Sequence, residues 1–291
     1  MAVGIVGLGN MGSAMSARLL ATGPVVGFDL DPARRAAAEQ LGVRVADTVE
    51  DLVRQSAAVI LSLPRPSVSR SVLEQVLAID SSALVIETST ISPEQADEME
   101  RRATSVGAEY VGAAVLSGVG EVATGASCWL VGGHTESVAD ALAILERVCS
   151  RRITFESAKA AMAAKVINNA VAHAVYVVLA EAAALGTAEG ISHEVLCQLL
   201  AQEDAGVKRP LTGRLAGRYA ERNFDGGMPT EAARKDSALA LEMARADRVP
   251  LFAIAGSDVV YELALVAGMG RNDYAAVATL WERWAEEGGT R

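Results

Sequence analysis

The chain has 291 residues, 51% of them apolar, and a formal net charge of −10. An acidic balance excludes nucleic acid as a partner, because phosphate backbones are held by clustered Lys and Arg, but it admits a small anionic substrate held by one local cation. Three cysteines without a CxxC and three histidines without ligand spacing predict a reducing compartment, no disulfide framework and no metal.

Residues 2–6 are a short apolar, β-branched run with no basic leader before it, which predicts a buried strand rather than a signal peptide. Gly7-Leu8-Gly9-Asn10-Met11-Gly12 follows, and Ser13–Ala21 reads as a helix. GxGxxG between a strand and a helix is the dinucleotide fingerprint in its required context. Gly7 permits the turn, Gly9 lets backbone approach a pyrophosphate, and Gly12 packs helix on strand. Free N–H groups at the helix start then face the phosphates. Val25–Asp29 is a second strand, and Asp29 falls about where an acid meets the ribose 2′-hydroxyl of NAD. The plainer reading of Asp29 is a helix cap or turn residue ahead of Asp31-Pro32. Arg34 and Arg35 follow closely and would tolerate a 2′-phosphate, so NAD is favoured and NADP admitted.

Alternation continues. Helices are expected at Ala33–Leu41, Val49–Gln55, Ser67–Leu77, Pro93 to about Val106, and Ala139–Cys149. Strands are expected at Val43–Val45, Ala57–Leu63, Leu84–Glu87, Glu109–Val115, Ser127–Val131 and Arg151–Phe155. This repetition predicts a parallel sheet covered on both faces, with ligand loops at the carboxyl ends of its strands. The loops Gly7–Gly12, Leu63–Ser67 and Thr88–Pro93 lie at those ends. A glycine-rich loop, Leu116–Glu121, separates two of the strands.

From about residue 158 only helical runs remain: Ala160–Glu189, His193–Ala201, Lys208–Ala220, Ala232–Ala246, Phe252–Ala267 and Tyr274–Trp284, with a loop at Asn223–Thr230. The fold class expected is therefore an α/β Rossmann-type domain, residues 1–157, followed by an all-α domain, residues 158–291, built on a long helix. That helix is apolar nearly all round from Met162 to Leu185, so it must be buried all round. One chain of this size is too small to cover it, which predicts a homodimer or homotetramer. Lys165, Asn168, Asn169, His173 and Glu181 interrupt the run, which makes it a poor membrane span. A soluble cytoplasmic protein is expected.

Lys165, Asn168 and Asn169 share one helix face. A lysine in apolar surroundings has its proton loosened by desolvation. Its plainer reading is a snorkelling side chain at a helix start.

Taken together, these stretches resemble the β-hydroxyacid dehydrogenase family nearly end to end. Gly7–Gly12 matches its GLGxMG, and Leu63-Pro64 its cofactor-contacting Leu-Pro. Glu87–Pro93 matches DxSTxxP with Glu for Asp, and Lys165–Asn169 matches KxxNN. Lys235-Asp236 matches the later KD pair, and Gly270–Tyr274 is similar to the C-terminal GxxDx. One departure stands out. Where the family's substrate loop reads DAPVSGG, this chain has Gly112-Ala113-Ala114-Val115-Leu116-Ser117-Gly118. The resemblance implies NAD(P)-dependent oxidation of a small, 3-hydroxyisobutyrate-like 3-hydroxy acid to a semialdehyde or keto acid. Lys165 would be the general acid-base. Ser117, Gly118, Asn169 and Lys235 would bind substrate, and Gly7–Gly12, Asp29, Leu63, Pro64, Thr90 and Lys235 the cofactor. Without the resemblance, Lys235 reads as a solvated lysine among Glu231, Arg234 and Asp236. The alternatives are a reductase of glyoxylate or succinic semialdehyde, a β-hydroxy amino acid dehydrogenase, or an imine reductase, which usually lacks the lysine. A non-catalytic dinucleotide sensor would have no need of Lys165, Asn169 and Lys235 together.

Overall fold

The computed structural model describes residues 2–288. It divides into two compact units, Met1–Asn169 and Ala170–Arg291. The first is built on one eight-stranded sheet ordered β3-β2-β1-β4-β5-β6-β7-β8. The strands are β1 Ala2–Val6, β2 Val25–Phe28, β3 Arg44–Val45, β4 Ser56–Leu61, β5 Leu84–Glu87, β6 Glu109–Val115, β7 Ser127–Gly133 and β8 Cys149–Phe155. The helices between them are α1 Asn10–Leu20, α2 Pro32–Gln40, α3 Val49–Arg54, α4 Pro66–Ile79, α5 Pro93–Thr104, α6 Val119–Thr124 and α7 Thr135–Leu145.

Apolar runs become strands buried on both faces, as in β1, where all five residues are buried. One core layer joins α3, α4 and α5 to the sheet, and includes Leu52, Leu73, Val76 and Met99. The opposite layer is built from α1, α2, α6 and α7, with Met15, Leu19, Ala38 and Leu145. Helix starts follow local chemistry. Ser92 and Gln95 form a reciprocal capping box at α5, and Thr48 caps α3.

The sheet departs from the expected all-parallel order at one place. β7 runs antiparallel to β6, and β8 lies parallel to β7. The expected helix Ala139–Cys149 is also shifted: α7 ends at Leu145, and Cys149 opens β8. Arg147 fixes that turn by donating from Nη2 to Leu19 O at 2.9 Å. The loop expected over Leu116–Glu121 is a loop only to Gly118, because α6 begins at Val119.

α8, Ala158–Ala188, starts in the first unit and continues into the second. The second unit contains α9 His193–Leu200, a π-helical run Pro210–Tyr219, α10 Thr230–Asp247, α11 Phe252–Val266, a 3-10 turn Tyr274–Ala278 and α12 Thr279–Gly288. The run expected as one helix over Lys208–Ala220 is thus wound more widely. Pro210, Gly213 and Gly217 make it a poor α-helix. Asp273, fully buried, ties the unit together. Its carboxylate accepts from Met228 N and Ala275 N at 3.0 and 2.9 Å and pairs with Arg214 at 3.0 Å.

Candidate active site

β1 and β4 are neighbours in the sheet but not in sequence, and their following helices lie on opposite faces. Such a reversal opens a crevice at the carboxyl ends of the strands. A cleft of about 1010 Å³ lies there. The loops expected to meet do meet: Gly7, Gly9, Asn10, Met11, Asp29, Leu63, Pro64 and Thr90 all line it, with Ser117 and Lys165.

The glycines are there for steric reasons. Gly7 has φ +97°, and a Cβ on it would lie 2.1 Å from Ser62 O. A Cβ on Gly12 would lie 1.9 Å from Gly7 O. Gly9 is different, for its Cβ direction opens to the cleft, with only the Arg34 guanidinium at 3.7 Å. As the N-cap of α1 it makes no side-chain cap, so the first-turn N–H groups remain available to an anion. Leu8 and Gly12 do not line the cleft. The Leu8 side chain is core, packed towards Gly27 and only 2% exposed. What Leu8 supplies is its N–H, which donates to Asp29 Oδ2 at 2.8 Å. Asp29 Oδ1 accepts from Asp31 N at 2.9 Å, and Arg34 lies 3.5 Å from the carboxylate. The cap of α2 is Asp31, not Asp29. Asp29 therefore holds the glycine loop against β2 while bordering the cleft. These features fit a dinucleotide: an open glycine under free helix N–H groups, and a fixed carboxylate at the end of β2.

Lys165 enters the same cleft from two turns into α8. The start of α8 is set by small residues on the sheet. A Cβ on Gly132 would lie 2.2 Å from Ser157 O, and one on Gly112 would lie 3.1 Å from the Ala158 Cβ. Buried Glu100 accepts from Ala158 N at 3.1 Å. Ala158, Ala161 and Met162 then pack into the core without exposure. Lys165 is half-buried, and burial pulls its ammonium pKa below the ordinary lysine range. A loosened proton beside a cofactor cleft suits acid-base work. Ser117 faces this end, its Oγ accepting from Cys128 N at 2.9 Å. One hydroxyl proton is left to donate. Gly118 is the exposed N-cap of α6 and does not line the cleft. Asn169 is partly buried, with its Oδ1 3.5 Å from Asn168 Nδ2. Lys235 lies in the second unit on α10, its side chain 68% exposed and 3.3 Å from Asp236.

Sequence reading passed over Ser71 and Gln75 on the cleft side of α4. With Val68 they recur at helical spacing, so the start of α4 at Pro66 would have grouped them. It also passed over the use of Ser89, whose Oγ accepts from Leu63 N at 2.8 Å and joins two of the cleft loops.

Over residues 2–157 the sequence matches the family model described as the NAD binding domain of 6-phosphogluconate dehydrogenase. Residues 160–281 match the model described as NAD-binding of NADP-dependent 3-hydroxyisobutyrate dehydrogenase. The chain belongs to the β-hydroxyacid dehydrogenase family. This β-hydroxyacid dehydrogenase is 33% identical to a probable 3-hydroxyisobutyrate dehydrogenase of Mycobacterium bovis, over 82% of this chain and 84% of that protein. It is 29% identical to the NAD-dependent L-serine dehydrogenase of Pseudomonas aeruginosa, over 96% and 97%. It superposes on the imine reductase of Streptomyces aurantiacus with a TM-score of 0.87 over 97% and 99% of the two chains, at 21% identity, a likeness of fold. The protein is an oxidoreductase that acts on the CH–OH of a hydroxy acid with NAD, and NADP remains admissible. The bound nicotinamide supplies hydride transfer.

Proposed function

We propose that this β-hydroxyacid dehydrogenase oxidises a small 3-hydroxy acid of the 3-hydroxyisobutyrate or L-serine type. Lys165 takes the hydroxyl proton as general base, and returns it as general acid in the reverse direction. The observation that carries this is the meeting of Lys165 with the glycine loop, Leu63 and Thr90 around one cleft. Alcohol oxidation must shed a proton as hydride leaves, and burial prepares Lys165 to accept it. Ser117, which lines the cleft, binds the substrate carboxylate in this reading, with Asn169 one turn beyond Lys165. Imine reductases of this architecture usually lack the lysine, and Lys165 is present. The names of the M. bovis and P. aeruginosa relatives support the substrate class.

The test is reduced-nicotinamide formation with NAD or NADP across 3-hydroxyisobutyrate, L-serine, other 3-hydroxy acids, and the reverse reduction of glyoxylate and succinic semialdehyde. Turnover of no hydroxy acid on the panel would sink the reading. A strong preference for NADP would show that Asp29 does not select the cofactor.

The same reading makes the protein a cytoplasmic homo-oligomer, a dimer or tetramer. α8 is long and apolar enough to cross a membrane by length and composition, with only 11% of its most apolar window buried. Its Glu181 instead accepts from Ala253 N and Ile254 N at the start of α11, which ties the helix into a protein unit. Val171, Tyr176 and Val177 are exposed, and Tyr176 lines an apolar cavity of about 590 Å³ together with Leu179, Leu196 and Leu200. A second copy of the chain would cover that face.

A further inference from the structure

Glu87 ends β5 with no exposure, directly before the Thr88–Thr90 segment that lines the cleft. Its Oε1 accepts from Ser89 N at 2.8 Å, while Oε2 has no hydrogen-bond partner. The hydroxyls of Ser89 and Ser69 both face the carboxyl and lie 3.4 Å from each other. Ser89 Oγ in turn accepts from Leu63 N. A single buried acid thus sits behind the link between the Leu63-Pro64 turn and the Thr88–Thr90 segment. Thr88 fastens the same corner by donating from its N and Oγ1 to Leu61 O.

The two protonation states of Glu87 serve this link differently. An ionised carboxylate only accepts, so Ser89 Oγ–H can point at it and leave a lone pair for Leu63 N–H. A protonated carboxyl brings a donor of its own, which must be placed on one of the same serine oxygens. If Ser89 takes that proton's bond, its second lone pair still meets Leu63 and its own hydrogen must turn away from Glu87 towards Ser69, which re-aims the link. Burial costs the ionised form dearly when a lone pair has no partner. It raises the Glu87 pKa to about 7, against the lowering by the two serines. The ionisable group facing Glu87 from β6 is Tyr110, beyond which Glu100 of α5 also bears on Tyr110. From α4 it meets only Ser69. Lys165 is perturbed by burial alone, so it does not share this titration.

We propose that Glu87 is a positioning residue for the cofactor, and that its ionisation sets the Leu63 and Thr88–Thr90 loops in the form that binds NAD. Binding and ionisation are then reciprocal, so NAD binding releases a proton from Glu87. The proposal rests on the cofactor cleft but not on the substrate reading, because it is tested with NAD alone.

Titration calorimetry of the substrate-free enzyme with NAD, from about pH 5.5 to 8.5, gives Kd and the protons exchanged in buffers of different ionisation heat. The wild type should bind roughly tenfold more tightly at the upper end, within the usual range of coupling. The change should centre near pH 7, with proton release there. Glu87→Gln keeps the size but cannot titrate. It should bind without this pH dependence and without proton release. Ser89→Ala keeps the acid but cuts its path to Leu63, and should also flatten the profile, which keeps the test decisive if Glu87→Gln does not fold. A flat wild-type profile, or an unaltered inflection in either variant, overturns the proposal. Failure of the wild type to bind NAD at any pH would overturn it together with the cofactor assignment.

Discussion

The two halves of α8 are made of similar residues and live in opposite surroundings. In the first half Ala158, Ala161 and Met162 are fully buried, and two glycines of the sheet and Glu100 fix the start. In the second half Val171, Tyr176 and Val177 are 57%, 72% and 48% exposed, and the core of the second unit is small, around Ala264, Met269 and Leu280. Composition alone does not separate the halves. The first is packed on the sheet, which would place Lys165 closely for the proposed proton transfer. The second leaves uncovered apolar surface of the kind that marks an interface.

The largest way to break this contrast is Lys165→Ala. General acid-base catalysis is typically worth about 10²–10⁴ in rate, so kcat should fall by that factor while NAD affinity stays. Unchanged kcat would remove Lys165 from the chemistry. The pH profile adds a sign. The base must be neutral to accept a proton, and burial lowers its pKa from 10.5. Oxidation should therefore rise with pH through a midpoint below 10.5, and reduction should fall over the same range. Next is Gly132→Val, which drives a side chain into Ser157 O at the start of α8. Overpacking typically costs about 1–3 kcal/mol. The cost should lie at the upper end, because the atom met is backbone. Denaturant unfolding measures it, and kcat should fall as Lys165 shifts.

Much of the first half was legible in the sequence. β1, β2 and β5 are apolar runs ended by Gly7, Asp29 and Glu87, and cleft loops follow them. The reversal of β7 was not legible, since an apolar strand reads the same in either direction. The connection from β6 to β7, residues 116–126 with the six-residue α6, gives no hint either, because residues 46–55 with the six-residue α3 join two parallel strands. From its place in the motif Leu8 reads as a cofactor contact, yet the motif constrains its backbone, and the side chain follows the core. Lys235 is the opposite case. Glu231, Arg234 and Asp236 around it look like any solvated helix face, and its exposure agrees with that pattern; only the resemblance to the family singled it out.

The second half is tested by Tyr176→Arg. If a second copy covers this face, placing a charge there should weaken association by about 2 kcal/mol, the scale of an interface hot spot. Light scattering across protein concentrations would show dissociation. A wild type that is monomeric at every concentration would leave the apolar face of α8 without its proposed cover.

Glu181→Gln has the smallest expected effect and makes the contrast sharpest. Glu181 is the one buried carboxylate of the later α8, and both its oxygens accept N–H groups from the first turn of α11. A carboxylate at a helix N-terminus gains from the dipole as well as from the hydrogen bonds. The amide of Gln keeps one acceptor oxygen and turns a donor towards the other N–H. The loss should be about 1 kcal/mol, the usual value of a cap, seen as a lower unfolding midpoint. Lys165 lies more than four turns earlier on the same helix, and its setting depends on Gly112, Gly132 and Glu100 rather than on α11. NAD affinity and kcat per folded enzyme should therefore stay as they are in the wild type. A fall in kcat at unchanged folded fraction would mean that the two halves of α8 are coupled, and that the division between a placed half and a covered half is wrong.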